Sequence, residues 1–284
     1  MTPLTIVLTG ATSGIGRQAA LTLGAAGHQL LVVGRNPALL DALVRELAER
    51  NLPEPRCFRA DLSLQAEVRR VAAEISAAAP VIDVLVNNAG AIFDERKVTA
   101  DGLEMTFALN HVAYWLMTRL LLSNVAASRD GRIVSTASAA HKRGTLDFDD
   151  LQSTKRYTGW GVYGASKLAN ICFTRELARR LRLDAATAHV SASCLHPGFV
   201  ATKFGDANGF LLSSALKAAK IVTALTEAKG ADTLTWLCTA PGAAARSGGY
   251  FERRRPATMS REAGDDAVAR RLWEATAALV GESP

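Results

Sequence analysis

Short apolar runs alternate with amphipathic stretches along most of this 284-residue chain. Runs that are apolar on both faces, each followed by a helix, predict buried parallel strands joined in βαβ units. Seven strands are predicted, at 4–9, 29–34, 56–60, 83–88, 131–137, 189–195 and 248–252. Seven helices are predicted, at about 15–26, 38–50, 65–78, 102–127, 161–182, 228–239 and 265–280. Right-handed crossovers then give one α/β domain over 1–284, a doubly wound parallel sheet with helices on both faces.

Composition narrows the possible classes of protein. The chain is 49% hydrophobic and 21% charged, which is typical of a globular protein. A net charge of +6, in short basic clusters without interleaved aromatic residues, does not favour nucleic-acid binding. The four cysteines and five histidines show no metal-ligand spacing, so no metal site is expected. Neither a signal peptide nor a membrane span is recognisable, and the predicted location is cytoplasmic.

A glycine-rich segment, LTGATSGIGRQAA, follows the first strand and opens the first helix. Its glycines have the spacing G-x-x-x-G-x-G, which lets the backbone turn tightly and approach a pyrophosphate at the helix N-terminus. A glycine-rich turn without a ligand is the alternative, and the position directly after a first strand argues against it. The segment therefore predicts a Rossmann-type dinucleotide site. The predicted contacts are Gly10, Thr12, Ser13, Gly14, Ile15, Gly16 and Arg17.

The end of the second strand predicts which dinucleotide binds. NAD sites usually place an acidic residue there for the ribose 2′-hydroxyl, whereas NADP sites often supply an arginine. Here the strand ends with Gly34 and Arg35, without an acid, and Arg17 could reach the same phosphate. An arginine presents a planar fork of donors that suits phosphate oxygens. A surface charge is the alternative for Arg35, but the sequence favours NADP(H).

Tyr163 and Lys167 stand four residues apart, on one face of a predicted helix. A tyrosine with an ordinary pKa near 10 exchanges protons poorly at neutral pH. A lysine ammonium and an oxidised nicotinamide beside it are expected to lower that pKa. Tyr163 is then a general acid in carbonyl reduction and a general base in alcohol oxidation. None of the other three tyrosines has a lysine four residues later.

Seven motifs occur together and in one order along nearly the whole chain. They are TGATSGIG (9–16), ADL (60–62), NNAG (87–90), Asn110, Ser138, YGASK (163–167) and HPGFVAT (196–202). In this set the chain resembles the short-chain dehydrogenase/reductase family. It looks most like the retinol dehydrogenase-like branch in SKLANICFTRELARRL (166–181), LQSTKRY (151–157) and SGGYFERRRPATMS (247–260). It departs from that branch in lacking an initial apolar anchor and in reading STAS at 135–138.

The resemblance implies roles for individual residues. Ser138 would bind the substrate oxygen, Lys167 would also bind the nicotinamide ribose, and Asn110 would hold a water linking Lys167 to solvent. A turn serine and a core asparagine are the ordinary alternatives for Ser138 and Asn110. On the adenosine side the implied contacts are Asp61, Leu62, Asn87, Ala89 and Gly90. Beside the nicotinamide and pyrophosphate they are Pro197, Gly198, Val200 and Thr202.

Two connections, 138–160 and 197–226, are longer than this architecture needs, which is typical of binding loops. Phe204, Phe210 and Leu211 in the second one favour a small apolar carbonyl or alcohol substrate. Reduction of a C=C bond on the same scaffold, and a non-catalytic NADP(H)-sensing module, are the alternative functions. Family members often pair the helices equivalent to 102–127 and 161–182, so a homodimer or homotetramer is possible unless the 138–160 loop obstructs it.

Overall fold

Eight strands form one sheet, in the order β3-β2-β1-β4-β5-β6-β7-β8, in the computed structural model, which describes residues 2–198 and 227–284. Their bounds are β1 Thr5–Thr9, β2 Gln29–Gly34, β3 Arg56–Arg59, β4 Val84–Asn87, β5 Arg132–Thr136, β6 Ser191–Leu195, β7 Tyr250–Glu252 and β8 Arg255–Pro256. All neighbours from β3 to β7 pair in parallel, and β8 pairs antiparallel to β7. The predicted doubly wound α/β fold is confirmed. The sequence did not predict β8, a two-residue strand that follows a turn with Arg253 and Arg254 at positive φ.

Helices cover both faces of the sheet, as predicted. Their bounds are α1 Gly14–Ala25, α2 Pro37–Glu49, α3 Gln65–Ala78, α4 Met105–Phe107, α5 Ala113–Ala126, α6 Gly159–Leu183, α7 Glu227–Thr239 and α8 Asp266–Val280. The single helix expected at 102–127 is interrupted by a π-helical segment, Ala108–Val112. Two 3-10 turns, Ala139–Arg143 and Ala244–Arg246, complete the helical structure of the described residues.

The sheet separates two apolar cores. Successive strand side chains point to opposite faces, so Val7 enters one core while Ile6 and Leu8 enter the other. Helices α3, α5, α6 and α8 close the first core, and α1, α2 and α7 close the second. Burial on both faces is the reason that the parallel strands read as continuous apolar runs.

Helix α8 lies across the faces of α5 and α6. Trp273 stacks on Phe173 with ring centroids 5.8 Å apart, and meets Trp115 edge-on at 5.3 Å. The guanidinium of Arg180 lies 4.7 Å from the Trp273 ring centroid. The sequence analysis placed possible subunit contacts on the apolar faces of α5 and α6, and Trp273 of α8 packs on both helices there. A homodimer or homotetramer remains a prediction.

The predicted site residues gather at the carboxyl ends of the strands. The chain order reverses between β1 and β4, which is where sheets of this type open a ligand-binding crevice. The residues that follow β1, β4 and β5, and residues 196–198 after β6, lie at that edge. Among the described residues, no helix combines the length and apolar character needed to cross a membrane.

Candidate active site

The glycine loop after β1 is shaped by close backbone contacts. Gly10 and Gly14 have φ values of +68° and +52°, which side-chain-bearing residues rarely adopt. A Cβ atom on Gly16 would lie 2.0 Å from the Gly10 carbonyl oxygen, and one on Gly10 would lie 2.7 Å from Ala89 Cα. The first turn of α1 has no acidic residue, and Ser13 makes no side-chain capping bond there. The N–H groups at this helix end therefore suit a phosphate.

Asn88, which the sequence analysis did not single out, ties this loop to two other strands. Its Nδ2 donates to the carbonyls of Thr9 (3.1 Å) and Gly10 (3.3 Å), and its Oδ1 accepts from Thr136 Oγ1 at 3.2 Å. Thr9 Oγ1 accepts from the backbone N–H groups of Asn88 and Ala89. The ends of β1, β4 and β5 are thus held in one network. The paired asparagines of the NNAG motif were the available signal.

Two predicted cofactor contacts turn their side chains into the interior. Asn87 is buried and donates to Thr118 Oγ1 on α5 at 3.0 Å, and Leu62 belongs to the first core. Their assignment as cofactor contacts stays a prediction.

Arg35 and Asp61, predicted for the adenosine end, do lie together. Asp61 Oδ1 accepts from the backbone N–H (3.1 Å) and hydroxyl (2.7 Å) of Ser63, and its Oδ2 lies 3.6 Å from Arg35 Nη1. The Arg35 side chain is 68% exposed, which leaves most of its donors open to a ligand. Arg17 pairs with Glu46 at 2.5 Å on the α2 side of the same loop.

Tyr163, Lys167 and Ser138 form the centre of the site. Lys167 Nζ donates to the Thr136 carbonyl at 3.0 Å and lies 5.6 Å from the centroid of the Tyr163 ring. A side-chain hydrogen bond joins Tyr163 to Ser138. Both members of the Tyr–Lys pair are buried, with 8% and 2% of their surface exposed. The structure thus brings the three residues together.

Burial shifts both pKa values of the Tyr–Lys pair. It raises the pKa of Tyr163 to about 12, and the hydrogen bond from Ser138 opposes that rise. It lowers the pKa of Lys167 to about 7. In the protein alone, desolvation outweighs the effect of the Ser138 hydrogen bond on the Tyr163 pKa. The lowering of that pKa expected from Lys167 together with an oxidised nicotinamide stays a prediction. Residue spacing carries no information about this burial.

Asn110 lies in the π-helical segment, a deformation that is frequent at functional sites. Its Oδ1 accepts from the Ala91 N–H at 2.9 Å, and its Nδ2 donates to the Ala91 carbonyl (2.9 Å) and Ser166 Oγ (3.0 Å). A Cβ atom on Gly90 would lie 3.0 Å from Asn110 Oδ1 and 3.5 Å from Lys167 Nζ. Gly90 therefore lets these two side chains approach each other. The water relay stays a prediction.

His141, a second residue that the sequence predictions did not include, contacts the backbone of Ser138. Its Nε2 accepts from the Ser260 N–H at 3.2 Å, so the proton resides on Nδ1, which lies 2.7 Å from the Ser138 carbonyl. Its ring packs edge-on against Tyr250 at 5.1 Å. Burial lowers the pKa of His141, which favours this neutral form. The Ser138 hydroxyl also accepts from the Ala140 N–H at 3.2 Å.

The last predicted contacts follow β6. Pro197 and Gly198 lie at the same edge of the sheet, and Gly198 has a φ of +83°. Val200, Thr202 and the rest of the predicted substrate loop, from 199 to 226, fall outside the described residues. Over the described ranges, no group of three or more potential ligands could hold a metal ion.

Comparisons with known proteins identify the family of the chain. The family model for short chain dehydrogenases matches residues 4–209. A Streptomyces sp. (strain C5) protein, provisionally named daunorubicin C-13 ketoreductase, is 39% identical over 98% of this chain and 93% of its own. Human retinol dehydrogenase 13 is 36% identical over 99% of this chain and 86% of its own.

A solved structure gives a further comparison. A protein from Beutenbergia cavernae, provisionally named an NAD(P)-dependent gluconate 5-dehydrogenase, was crystallised with NADP at low occupancy. It superposes with a TM-score of 0.70 at 28% identity, covering 88% of this chain and 94% of its own. The chain therefore belongs to the short-chain dehydrogenase/reductase family, whose members are oxidoreductases that use nicotinamide cofactors on small-molecule substrates.

Proposed function

We propose that this protein is an NADP(H)-dependent reductase of an apolar carbonyl compound, with Tyr163 as the general acid/base. The observation that carries the proposal is the buried Ser138–Tyr163–Lys167 arrangement, which lies at the same sheet edge as the glycine loop. The names of the Streptomyces and human relatives, a ketoreductase and a retinol dehydrogenase, support a ketone, aldehyde or alcohol as the reacting group. The cytoplasm remains the predicted location.

The residues at the crevice fit a dinucleotide phosphate. Gly10 and Gly16 pack so closely on neighbouring backbone that a Cβ atom would clash there, so glycine is needed for the tight turn that leads into the N-terminus of α1. Arg35, with 68% of its side chain exposed, is available to the 2′-phosphate, and Asp61 holds it from one side. The solved relative with NADP supports this choice. When bound, NADPH would supply the hydride.

Tyr163 carries the proton that a general acid donates. With a pKa of about 12 it stays protonated at neutral pH, so its hydroxyl can protonate the oxygen of a carbonyl as negative charge develops there. Ser138, bonded to Tyr163, would hold that oxygen in place and stabilise the same charge. Lys167 is fixed by the Thr136 carbonyl and lies beside the Tyr163 ring, where it can stabilise the phenolate left behind.

The proposal is tested by following the nicotinamide absorbance with NADPH or NADH against a panel of apolar ketones, aldehydes and enones. Tyr163→Phe should lower turnover by about 10²–10⁴-fold, since it removes the proton donor. Tyr114→Phe is the matched control. The Tyr114 ring also lies near Lys167 Nζ, at 5.7 Å, but its buried hydroxyl has no hydrogen-bond partner among the described residues.

Each outcome of this assay has a defined meaning. Equal losses in the two variants, or none, would contradict the role of Tyr163. Faster turnover with NADH would contradict the choice of NADP(H). Enone reduction at the C=C bond would identify the alternative reaction, and tight NADPH binding without turnover across the panel would identify the sensing module.

A further inference from the structure

Trp160 is an exposed aromatic residue beside the proposed acid/base. It lies in the first turn of α6 and is 67% exposed, whereas Trp115 and Trp273 are buried. The remaining tryptophan, Trp236, packs against Phe251 and Arg246. A tryptophan carries a large apolar surface that proteins usually bury or use for contacts. Its exposure at this place therefore requires an explanation.

Three residues form a single row along α6. Trp160, Tyr163 and Lys167 stand at i, i+3 and i+7, which places them on one face of the helix. The Trp160 ring meets the Tyr163 ring edge-on, with centroids 5.9 Å apart and planes at 88°. The exposed fraction of the residue falls along the row, from 67% for Trp160 to 8% for Tyr163 and 2% for Lys167. Trp160 is therefore the solvent end of the row that reaches the proposed proton donor.

The backbone that carries Trp160 is held firmly. A Cβ atom on Gly159 would lie 2.6 Å from the Phe93 carbonyl oxygen, so the helix start packs directly on that segment. Thr158 caps the helix by accepting from the Gly161 N–H at 3.2 Å. A side chain on a fixed helix end presents its contact surface more reproducibly than one on a free loop.

The geometry points to Trp160 as a substrate-contact residue that selects carbonyl compounds bearing a flat, apolar ring system. This inference rests on the proposed reductase function and names the substrate class for the same site. In this arrangement, a substrate whose carbonyl reaches the Tyr163 hydroxyl would extend its remaining atoms toward Trp160, the solvent end of the row. An indole ring there offers a planar apolar surface, which a substrate ring matches better than a flexible alkyl chain does.

The test compares two methyl ketones of equal carbon number, 2-acetonaphthone and 2-dodecanone, with NADPH as reductant. In Trp160→Leu, which keeps an apolar side chain without the ring, the ratio of kcat/KM for the aryl ketone to that for the alkyl ketone should fall about three- to tenfold. Trp160→Phe should retain most of the ratio. Leu183→Ala, which alters a residue 73% exposed at the far end of α6, should leave it unchanged.

A binding measurement accompanies the kinetics. With 5-fluorotryptophan incorporated, the four tryptophans give four ¹⁹F signals, and Trp160→Phe identifies the one from Trp160. In the presence of NADP⁺, 2-acetonaphthone should shift that signal, and 2-dodecanone should shift it less. An unchanged aryl-to-alkyl ratio in Trp160→Leu, or equal signal shifts with both ketones, would overturn the role of Trp160. Wild-type enzyme that reduces neither ketone nor any other carbonyl of the panel would instead overturn the proposed function.

Discussion

At the residue scale, the buried amine of Lys167 links stability to pH. Its pKa is about 7 in the folded chain, against about 10.4 for an unperturbed lysine. Between these values the unfolded chain binds a proton that the folded chain does not, so the free energy of unfolding rises with pH. Below pH 7 the Lys167 amine is protonated in both the folded and the unfolded chain. The free energy of unfolding is then lowered by the full cost of burying the charge. We expect Lys167→Met to remove this rise.

The measurement is denaturant unfolding of the wild type and Lys167→Met at several pH values between 7 and 10. The difference between the two free energies of unfolding should shift in favour of the wild type as the pH rises, by at most about 1.4 kcal/mol per pH unit. The buried thiols of Cys172, Cys194 and Cys238 have pKa values raised to about 12 and work in the opposite sense at high pH. They are present in both proteins and cancel in the difference. A difference that stays flat from pH 7 to 10 would contradict the buried neutral amine.

Arg35 supports a prediction about cofactor choice. Its side chain is 68% exposed and its nearest acid, Asp61, lies 3.6 Å away, so the pair adds little to stability. Arg35→Ala should therefore raise KM for NADPH about tenfold or more through loss of a charge-assisted phosphate contact, with KM for NADH nearly unchanged. The free energy of unfolding should change by less than about 0.5 kcal/mol. Arg45→Ala, at an exposed position of α2, is the control; a similar change of KM in both variants would disprove a specific phosphate contact.

At the element scale, the segment that carries Ser138 packs directly on helix α6, which carries Tyr163. A Cβ atom on Gly144 would lie 2.3 Å from the backbone carbon and oxygen of Gly164. A methyl group there has to push the 3-10 turn away from α6, which moves the Ser138 hydroxyl away from the Tyr163 hydroxyl. We expect Gly144→Ala to lower kcat at least about tenfold, because small displacements of catalytic groups are costly.

The same substitution should lower the free energy of unfolding by about 1–3 kcal/mol, the usual cost of overpacking. Gly264→Ala is the matched control, since a Cβ atom at Gly264 would find its nearest neighbour, the Arg261 carbonyl oxygen, at 3.5 Å. Denaturant unfolding and steady-state kinetics on both variants provide the readouts. Unchanged kcat in Gly144→Ala would show that this contact does not set the distance between Ser138 and Tyr163.

At the scale of the whole molecule, local patterns predicted the fold, and long-range contacts limited the prediction of the site. Because the parallel strands are buried on both faces, they can be recognised in the sequence as apolar runs. The two-residue β8 is too short to show any periodicity. The Tyr163–Lys167 pair is local and was found from its spacing. Asn88 acts on Thr9, and His141 acts on Ser260, across 79 and 119 positions, so neither role can be read from neighbouring residues. The pKa shifts depend on burial by the entire fold.

Helix α8 packs the C-terminal part of the chain against the first apolar core. Trp273 is 2% exposed and contacts Phe173, Trp115 and Arg180, so Trp273→Ala leaves a large cavity between α8, α5 and α6. We expect the free energy of unfolding to fall by about 3–5 kcal/mol, the usual cost of deleting a buried tryptophan side chain. Glu274→Ala, at the next and exposed position, should cost less than about 0.5 kcal/mol. Denaturant unfolding measures both; a loss below about 1 kcal/mol in Trp273→Ala would mean that α8 covers this core without stabilising it.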